Sequence, residues 1–479
     1  MSPRHRQVRE LPLSIDRGHG AGIGRQIETQ LRETISSGRL PMGTALPSTR
    51  VLAEEMAVSR GVVARAYRQL AAEGYIALRQ GANPLVKGSH AADGVAVQRQ
   101  IGSTEKYRFD LRPHLPDLAS FPRSGWLRAQ QRSLQSASTQ ALASADGNGL
   151  WALRAELAAY LARSRGVLVR PETLVVTAGT SQALTLITRT LATNRRFEMA
   201  FENPSCVLHH AAVNQAGARA VGVRMDEQGL IVSDLYGTGV GAVVVSSTDQ
   251  FPTGTRVSES RRASLIEWAT ECDGLIIESD SELRDDNDSP APLQSQAPDR
   301  VVYLGSTRKT LGPLARLGWL VLPERLVARA EGLSASLLHV SSLDQLAFAD
   351  FLVRGDYDRH IRKMRGIYRQ RRAVLIDALQ EAFPDGSIVG PAAGLHVILP
   401  TNHGGLARRV CLVAQERGVA LDLISNHTLP GYTGLDGVLV GFGQLSTAAV
   451  AAAVEELRRV FAMAASSADE QLDPPIQRI

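Results

Sequence analysis

Residues 301–319 read VVYLGSTRKTLGPLARLGW, an apolar run followed by a hydroxyl, an amine and a guanidinium. The first six residues have the β-branched and aromatic character of a strand buried on both faces, which is typical of a parallel sheet. Ser306, Lys309 and Arg316 follow at its carboxyl end. Together these three side chains can hold a phosphate group and attack an aldehyde beside it.

Lys309 is notable because the chain is poor in lysine. Of its 53 Lys and Arg residues only four are lysine, namely Lys87, Lys106, Lys309 and Lys363. Only lysine can lose its proton and condense with an aldehyde, whereas a guanidinium stays charged. The alternative interpretation is a solvated charge on a loop, since the other three lysines need no such explanation.

A second strand end, in LVVTAGTSQALTL (residues 174–186), indicates a phosphate site. The strand enters a helix through Gly179, Thr180 and Ser181, where backbone N–H groups and the helix dipole favour an anion. Each of these features also has an interpretation without a ligand. Such helix starts occur in proteins that bind nothing there, Ser306 can cap a helix, and Arg316 can form an ion pair on the surface. Taken together, however, the two strand ends predict a site for pyridoxal 5′-phosphate (PLP).

Further runs of the same kind, GAVVVSS and GLIIES, alternate with helical segments such as LRAELAAYLARSRG. This alternation predicts an α/β domain with a mostly parallel sheet covered on both faces. Ligands bind such sheets at the carboxyl ends of the strands.

The N-terminal segment has a different character. Residues 1–90 carry 13 Lys/Arg and seven Asp/Glu, so they hold more than the whole net charge of +5. Ser48 and Ser59 each precede a short helical pattern, which predicts a helix-turn-helix. The second helix would present Arg60, Gly61 and Arg65 to the major groove of DNA.

A wing follows the second helix. The segment YIALRQGANPLVKG alternates apolar residues around a turn and predicts two strands carrying Arg79 and Gly81. Basic helix and wing together predict a reader of double-stranded DNA. The alternative is an arginine-rich helix that is merely solvated.

The whole chain of 479 residues is therefore predicted to be multidomain. We expect a winged helix-turn-helix at 12–87, a flexible linker at 88–106, an α/β domain at 107–464 and a disordered tail at 465–479. Three separated cysteines indicate neither a disulfide framework nor a metal site. No apolar run suggests a membrane span or a signal peptide, so we expect a cytoplasmic protein.

The head resembles a known family. The segment LPSTRVLAEEMAVSRGVVARAYRQLAAEGYI (residues 46–76) is similar to the winged helix of GntR-type regulators. The resemblance implies that Arg50, Arg60 and Arg65 contact DNA. Val62 stands where many relatives carry threonine, so one hydroxyl contact is missing.

The large domain carries a second resemblance. DLRPHLPDLASFP, DGNGLWALRAELAAYLARSRGV, VTAGTSQAL, FENPS, QFPTG and YLGSTRKTLGPLARLGW are similar, in this order, to fold-type I aminotransferases. Joined to a GntR-type head, this is the layout of the MocR subfamily of transcriptional regulators. The resemblance implies Lys309 as the Schiff-base lysine, Arg316 as the phosphate-binding arginine and Gly179, Thr180 and Ser181 as the phosphate loop. It also implies a head-to-tail, domain-swapped homodimer that binds an operator and senses PLP with an amine-like effector.

The sequence departs from that family at four positions. Cys206 replaces an aromatic residue that stacks on the cofactor ring, and Ser144 replaces a tyrosine that reaches the phosphate. In ESDSEL the aspartate that pairs with the pyridine nitrogen falls on Ser279. The adjacent Asp280 is either a substitute for it after a small loop shift or a solvated acid on a loop. Leu439 replaces the arginine that clamps a substrate carboxylate.

These departures weigh against catalysis, because the ring becomes a poorer electron sink and the substrate is poorly oriented. We therefore expect a DNA-binding regulator with a catalytically inactive, PLP-sensing domain. One alternative is a regulator whose pocket has lost PLP and responds to another ligand or partner. The other is a working aminotransferase with an appended head.

Overall fold

The structure is a computed structural model, in which the chain divides into two compact units, residues 1–103 and 104–479. The residues that it describes are 11, 13–16, 22–36, 39–79, 82–87, 107–113, 115–139, 147–192, 197–280, 283, 290–337, 340–390, 394–401 and 405–466. The predicted linker at 88–106 lies outside these residues, as does 467–479. The tail prediction began two residues too early, because the last helix continues to Ser466.

The first unit is a winged helix-turn-helix, as predicted. Ser48 begins the second helix as its N-cap, since its side chain accepts a hydrogen bond from the N–H of Val51 at 3.3 Å. The two strands of the wing pair antiparallel. The elements of this unit are α1 Ile23–Ser36, α2 Thr49–Glu55, α3 Arg60–Ala72, β1 Ile76–Arg79 and β2 Ala82–Val86.

A small apolar core holds these elements together. Leu31 of α1 and Leu70 of α3 are fully buried in it. Tyr67 is also buried, and its hydroxyl donates to the carbonyl of Pro47 at 3.0 Å, which ties α3 to the segment before α2. The turn between α2 and α3 includes Ala57 in a left-handed conformation, with φ of 49°.

We predict that Leu70→Ala destabilises this unit by about 2–5 kcal/mol, because it removes a fully buried side chain from a small core. Hydrogen exchange measured by mass spectrometry on the full-length chain should show faster exchange in the peptides of α1 and α3. Val51→Ala is the matched control, because Val51 is 44% exposed and should change exchange little. Equal effects of the two variants would contradict this assignment of the core.

The second unit is built around a seven-stranded sheet of order β4-β12-β11-β10-β9-β5-β6. All neighbouring pairs are parallel except those that β12 makes with β11 and β4. The strands of the unit are β3 Phe109–Asp110, β4 Leu174–Thr177, β5 Glu198–Glu202, β6 Arg219–Val223, β7 Met225–Asp226, β8 Gly229–Leu230, β9 Ala242–Val245, β10 Leu275–Ser279, β11 Val301–Ser306, β12 Gly318–Val321, β13 His396–Pro400, β14 Val419–Ala420, β15 Asp422–Leu423 and β16 Gly437–Gly441.

Helices cover this sheet, and apolar clusters lie between the layers. Alternate residues of β11 face different clusters, with Val302 and Leu304 in one and Val301 in another. The helices are α4 Arg123–Ser136, α5 Trp151–Arg165, α6 Thr180–Leu191, α7 Val207–Gln215, α8 Glu259–Glu271, α9 Leu293–Gln296, α10 Gly312–Ala315, α11 Glu324–Leu337, α12 Ser342–Val353, α13 Asp356–Ala382, α14 Leu406–Glu416 and α15 Val450–Ser466.

A smaller antiparallel sheet, β13-β16-β15, packs with α13, α14 and α15 around a separate apolar cluster. The α/β architecture with a mostly parallel main sheet is thus confirmed. Within the described residues, no helix combines the length and the apolar character needed to span a membrane.

Candidate functional site

Five strands of the main sheet end at the same edge, and the segments that follow them enclose one cavity. Strand β4 is antiparallel to β12, which is antiparallel to β11, so β4 and β11 run in the same direction as β10, β9 and β5. Their carboxyl ends therefore meet, as expected for a ligand site in a parallel sheet. The cavity has a volume of about 110 Å³. Its lining comprises Thr180 after β4, Cys206 and His209 after β5, Ser246, Asp249 and Phe251 after β9, Ser279 and Asp280 at the end of β10, and Leu304, Ser306, Arg308 and Lys309 on and after β11.

Lys309 lies in this cavity, as predicted from its position after β11. Its Nζ is 3.4 Å from Oδ2 of Asp249, whose side chain is almost completely buried. The backbone at Lys309 is held from the other side, since the hydroxyl of Tyr368 donates to its carbonyl at 3.4 Å. The amine thus has a defined place at the centre of the strand ends.

The next residue anchors the same segment. The hydroxyls of Thr310 and Tyr357 are hydrogen-bonded at 3.0 Å, and a ring nitrogen of His360 lies 2.8 Å from the Thr310 carbonyl. All three side chains are buried. Helix α13 therefore fixes the loop that carries Lys309.

The predicted phosphate loop lies at the start of α6. Gly179 is the N-cap with φ of 95°, a conformation that favours glycine. Thr180 lines the cavity, and Ser181 is exposed on the first turn. A side chain at Gly318 would come within 2.8 Å of the Gly179 Cα, so the close packing of β12 against this loop requires glycine there. The first turn of α6 keeps backbone donors that have no acceptor within the helix.

Of the other two predicted phosphate ligands, one lies in the cavity. Ser306 lines it at the end of β11. Arg316 follows α10 with a left-handed backbone, φ 40° and ψ 44°, and its side chain is exposed rather than part of the lining. Arg308, which the sequence interpretation did not select, contributes to the lining instead. The assignment of Arg316 to a phosphate stays a prediction.

Asp280 also lies in the cavity, beside Ser279. Its Oδ2 accepts a hydrogen bond from the Tyr303 hydroxyl at 2.7 Å, and its Oδ1 accepts one from Thr248 at 3.4 Å. These contacts orient the carboxylate at the end of β10. A carboxylate is therefore present in the lining at the end of β10, and the pairing of Asp280 with a pyridine nitrogen stays a prediction.

The other positions at which the sequence departs from the aminotransferase pattern have different surroundings. Leu439 is fully buried in β16 and packs with Ile398 and Ile424, against which Phe251 and Tyr432 also pack. The position that the resemblance assigns to a carboxylate clamp is therefore apolar here. Cys206 is the N-cap of α7 and lines the cavity. Ser144 lies outside the described residues.

The sequence interpretation missed four polar residues of the cavity, namely His209, Ser246, Asp249 and Arg308. Asp249 follows β9 directly before the QFPTG segment, and its position after a predicted buried strand could have identified it. His209 stands three residues after Cys206 on α7, a spacing that places both on one side of a helix start. Three or more His, Cys, Asp or Glu side chains do not come together as a metal site anywhere in the part of the chain that the structure describes.

In the first unit, the predicted DNA-contacting residues of the helices are exposed. Arg50 at the start of α2 pairs with Glu54 at 3.2 Å, and both side chains are largely in solvent. Nε of Arg60 donates to the Thr49 hydroxyl at 3.3 Å, which links the first turns of α2 and α3. Gly61 and Arg65 are exposed on the same α3.

The remaining predicted residues of the first unit are only partly described. Arg79 ends β1 and pairs with Ala82 across the hairpin. Gly81 lies outside the described residues. Val62 is half-buried near the start of α3. The contacts of all these residues with DNA stay predictions.

Comparisons with known proteins agree with both units. Residues 23–85 match the family of bacterial regulatory proteins, gntR family, and residues 117–433 match aminotransferase class I and II. The HTH-type pyridoxine biosynthesis transcriptional regulator PdxR of Corynebacterium glutamicum is 30% identical, over 91% of this chain and 95% of its own length. The probable rhizopine catabolism regulatory protein MocR of Rhizobium meliloti is 27% identical, over 96% of this chain and 98% of its own length.

Solved structures show the same fold for the second unit. An archaeal alanine:glyoxylate aminotransferase superposes with a TM-score of 0.68 at 24% identity, covering 74% of this chain and 91% of the enzyme. Three findings therefore indicate the same family. They are the match to a gntR-type head, the match to an aminotransferase domain over most of the chain, and the similarity to regulators over nearly their full length. The chain belongs to the MocR subfamily of GntR-type transcriptional regulators, which fuse a winged helix-turn-helix to a fold-type I aminotransferase-like domain.

Proposed function

We propose that the aminotransferase-like unit of this regulator is a sensor that binds PLP through Lys309, alone or with a small amine, and thereby changes operator binding. The observation that carries this proposal is the meeting of an amine, a helix start and a carboxylate in one cavity. Lys309, Thr180 and Asp280 come from three different strand ends and line the same space.

The residues present suit this cofactor. An amine for the aldehyde, hydroxyls and helical N–H groups for the phosphate and a carboxylate for the pyridine nitrogen are the donors and acceptors that PLP requires. Lys309, Ser306, Thr180 and Asp280 would provide them. When bound, PLP would supply an electrophilic carbon and an electron-withdrawing ring, while the protein holds and orients it.

Efficient transamination is not part of the proposal. The apolar packing around Leu439 offers no cationic group for a substrate carboxylate at that position. The proposed unit therefore binds ligands and does not turn them over. Sustained formation of a keto acid by the purified protein would favour the enzymatic alternative instead.

Regulation would work through two arrangements of a head-to-tail, domain-swapped homodimer. A ligand can shift such an equilibrium only if it binds one arrangement more tightly than the other. Each DNA-binding unit would be linked to its sensor through residues 88–106. A change between the two arrangements would then alter the spacing of the two heads on the operator.

The test is operator binding with and without ligand. We expect that PLP, or PLP with one member of a panel of small amines, changes the affinity for an operator selected from random DNA by about fivefold or more, the usual size of an allosteric coupling. Fluorescence anisotropy gives the affinity and footprinting gives the spacing. The Lys309→Arg variant should bind the same DNA and lose the response to PLP.

Unchanged affinity and footprint over a broad panel that includes PLP would refute the sensor proposal. A second candidate is a pocket that responds to a ligand other than PLP. The buried thiol of Cys206 in the lining favours it, because this position has no aromatic ring to stack on a cofactor. A response to a ligand that also persists in Lys309→Arg would favour this candidate.

A further inference from the structure

The segment around Cys206 is fixed from both sides by one histidine. The N–H of Ser205 donates to the carbonyl of His427 at 2.9 Å, and the N–H of Val207 donates to its Nδ1 at 3.4 Å. Nε2 of His427 lies 3.0 Å from Asp422, so the ring itself is oriented. Cys206, whose backbone lies between these two amides, is only 7% exposed. Its side chain nevertheless lines the cavity.

His209 makes this thiol acidic. Burial alone would raise the pKa of Cys206, but the charge and hydrogen bond of His209, together with smaller contributions from the backbone at Leu208 and from His427, lower that pKa to about 6. The position at the start of α7 acts in the same direction, because a helix N-terminus favours an anion. These contacts favour the thiolate, which is the nucleophilic form of the thiol.

The cavity holds a second nucleophile on a neighbouring loop. Lys309 lines the same space, and Asp249, 3.4 Å from its Nζ, can accept the proton that the ammonium must release before it reacts. Phe251 and Leu304 supply apolar surface between these polar groups. A soft sulfur nucleophile and an amine thus share a cavity of about 110 Å³, which admits only a small molecule.

We propose that this cavity is a covalent binding site for small α,β-unsaturated aldehydes, in which Cys206 adds to the β carbon and Lys309 condenses with the carbonyl carbon. In the first step the sulfur forms a C–S bond, the carbon–carbon π bond breaks and the α carbon takes a proton from water. In the second step the neutral amine forms a C=N bond and the carbonyl oxygen leaves as water. Neither step needs an oxidant or a reductant.

This inference concerns the protein without PLP and goes beyond the proposed function, because the aldehyde would condense with the same Lys309 amine that PLP is proposed to use. It also differs from a peroxide sensor, since peroxide oxidation would use the thiolate alone and leave the amine and the apolar walls without a role. An aldehyde with a conjugated double bond uses both nucleophiles and the apolar surface.

The experiment exposes the full-length protein, freed of any bound PLP, to crotonaldehyde, reduces it with borohydride and maps peptides by mass spectrometry. We expect the Cys206 peptide and the Lys309 peptide to become joined through one crotonaldehyde. Butyraldehyde, the saturated probe of equal length, should modify lysine without touching Cys206. The other cysteines are internal references, Cys272 because it is exposed and Cys411 because burial raises its pKa to about 12.

Two variants separate the roles. Lys309→Arg should keep the adduct on Cys206 and lose the cross-link. His209→Gln should move the midpoint of the pH–rate profile at Cys206 upward from about 6, and at pH 6 it should slow the addition about fivefold, because less thiolate is only partly offset by its greater nucleophilicity.

Several results would overturn the inference. One is labelling of Cys272 with no adduct on Cys206. Another is an adduct on Cys206 without a cross-link in the protein that carries no substitution. A third is oxidation of Cys206 by peroxide with no reaction towards crotonaldehyde. An unchanged midpoint in His209→Gln would also refute the role of His209. Operator affinity with PLP is measured without any aldehyde, so a failure of this inference can be distinguished from a failure of the proposed function.

Discussion

Replacing Lys309 with alanine is expected to abolish the visible absorbance band that the proposed complex of the purified regulator with PLP would have. The band requires a covalent C=N link between the cofactor and an amine, and alanine has no amine to offer. Lys309 is the lysine that lines the cavity at the strand ends, where Thr180, Ser306 and Asp280 can hold the rest of the cofactor. The expected loss is complete rather than partial.

The control for this prediction is Lys363→Ala. Lys363 is suitable because it is an exposed lysine on α13 and is not part of the cavity lining. This variant should keep the full band, and borohydride reduction of the unmodified protein should place the cofactor on the peptide that contains Lys309. A band that survives in Lys309→Ala, or one that falls equally in both variants, would contradict the assignment.

The strands that carry this site could be predicted from the sequence. VVYLGS, LVVT, AVVV and LIIES are buried runs rich in β-branched residues, and each is a strand of the main sheet. Their carboxyl ends meet because the strands run in one direction, so Lys309, Ser306, Thr180 and Asp280 could be expected to lie together.

The order of the strands could not be predicted in the same way. Strand β9 lies between β5 and β10 in the main sheet. Strand β12 lies between β11 and β4 and is antiparallel to both. A local sequence pattern indicates that a strand is buried but not which strand lies beside it, because the pairing of strands depends on packing over the whole sheet. The sequence therefore supported a mostly parallel sheet and no more.

Side-chain direction limited the prediction of the site. Arg316 was selected by spacing, but its left-handed backbone ends α10 and leaves its side chain exposed, whereas Arg308 lines the cavity. The pairing of Asp249 with Lys309 joins residues sixty positions apart. Such contacts depend on loop conformation, which has no periodic signal in the sequence.

The second large effect is expected on DNA, where Arg60→Ala should weaken operator binding by about tenfold or more for each head. Arg60 opens α3, and the N-terminal residues of a recognition helix are those that reach base edges. A lost arginine contact to a base costs about 1–3 kcal/mol, and a homodimer would lose it twice. The hydrogen bond of Arg60 with Thr49 already points its guanidinium along the first turns of both helices.

Salt dependence separates a base contact from a phosphate contact. If Arg60 contacts a base, Arg60→Ala should relax the sequence preference. Arg50→Ala should instead weaken binding to all sequences and reduce the slope of log K against log salt by about one for each lost phosphate contact. Arg50 suits a phosphate contact because its present partner, Glu54, is exposed and such surface pairs contribute little stability.

Arg68→Ala is the matched control for these variants. It removes the same charge from the same helix, but Arg68 lies in the second half of α3, away from the end that enters the groove, and its Nε donates to the carbonyl of Ala64. We expect this variant to retain both the affinity within about threefold and the sequence preference, because it loses only a screened, long-range attraction. Anisotropy titrations at several salt concentrations on the selected operator and on a scrambled duplex measure all three variants. Equal losses for Arg60→Ala and Arg68→Ala would mean that α3 contributes charge alone, and that the operator is read by another part of the head.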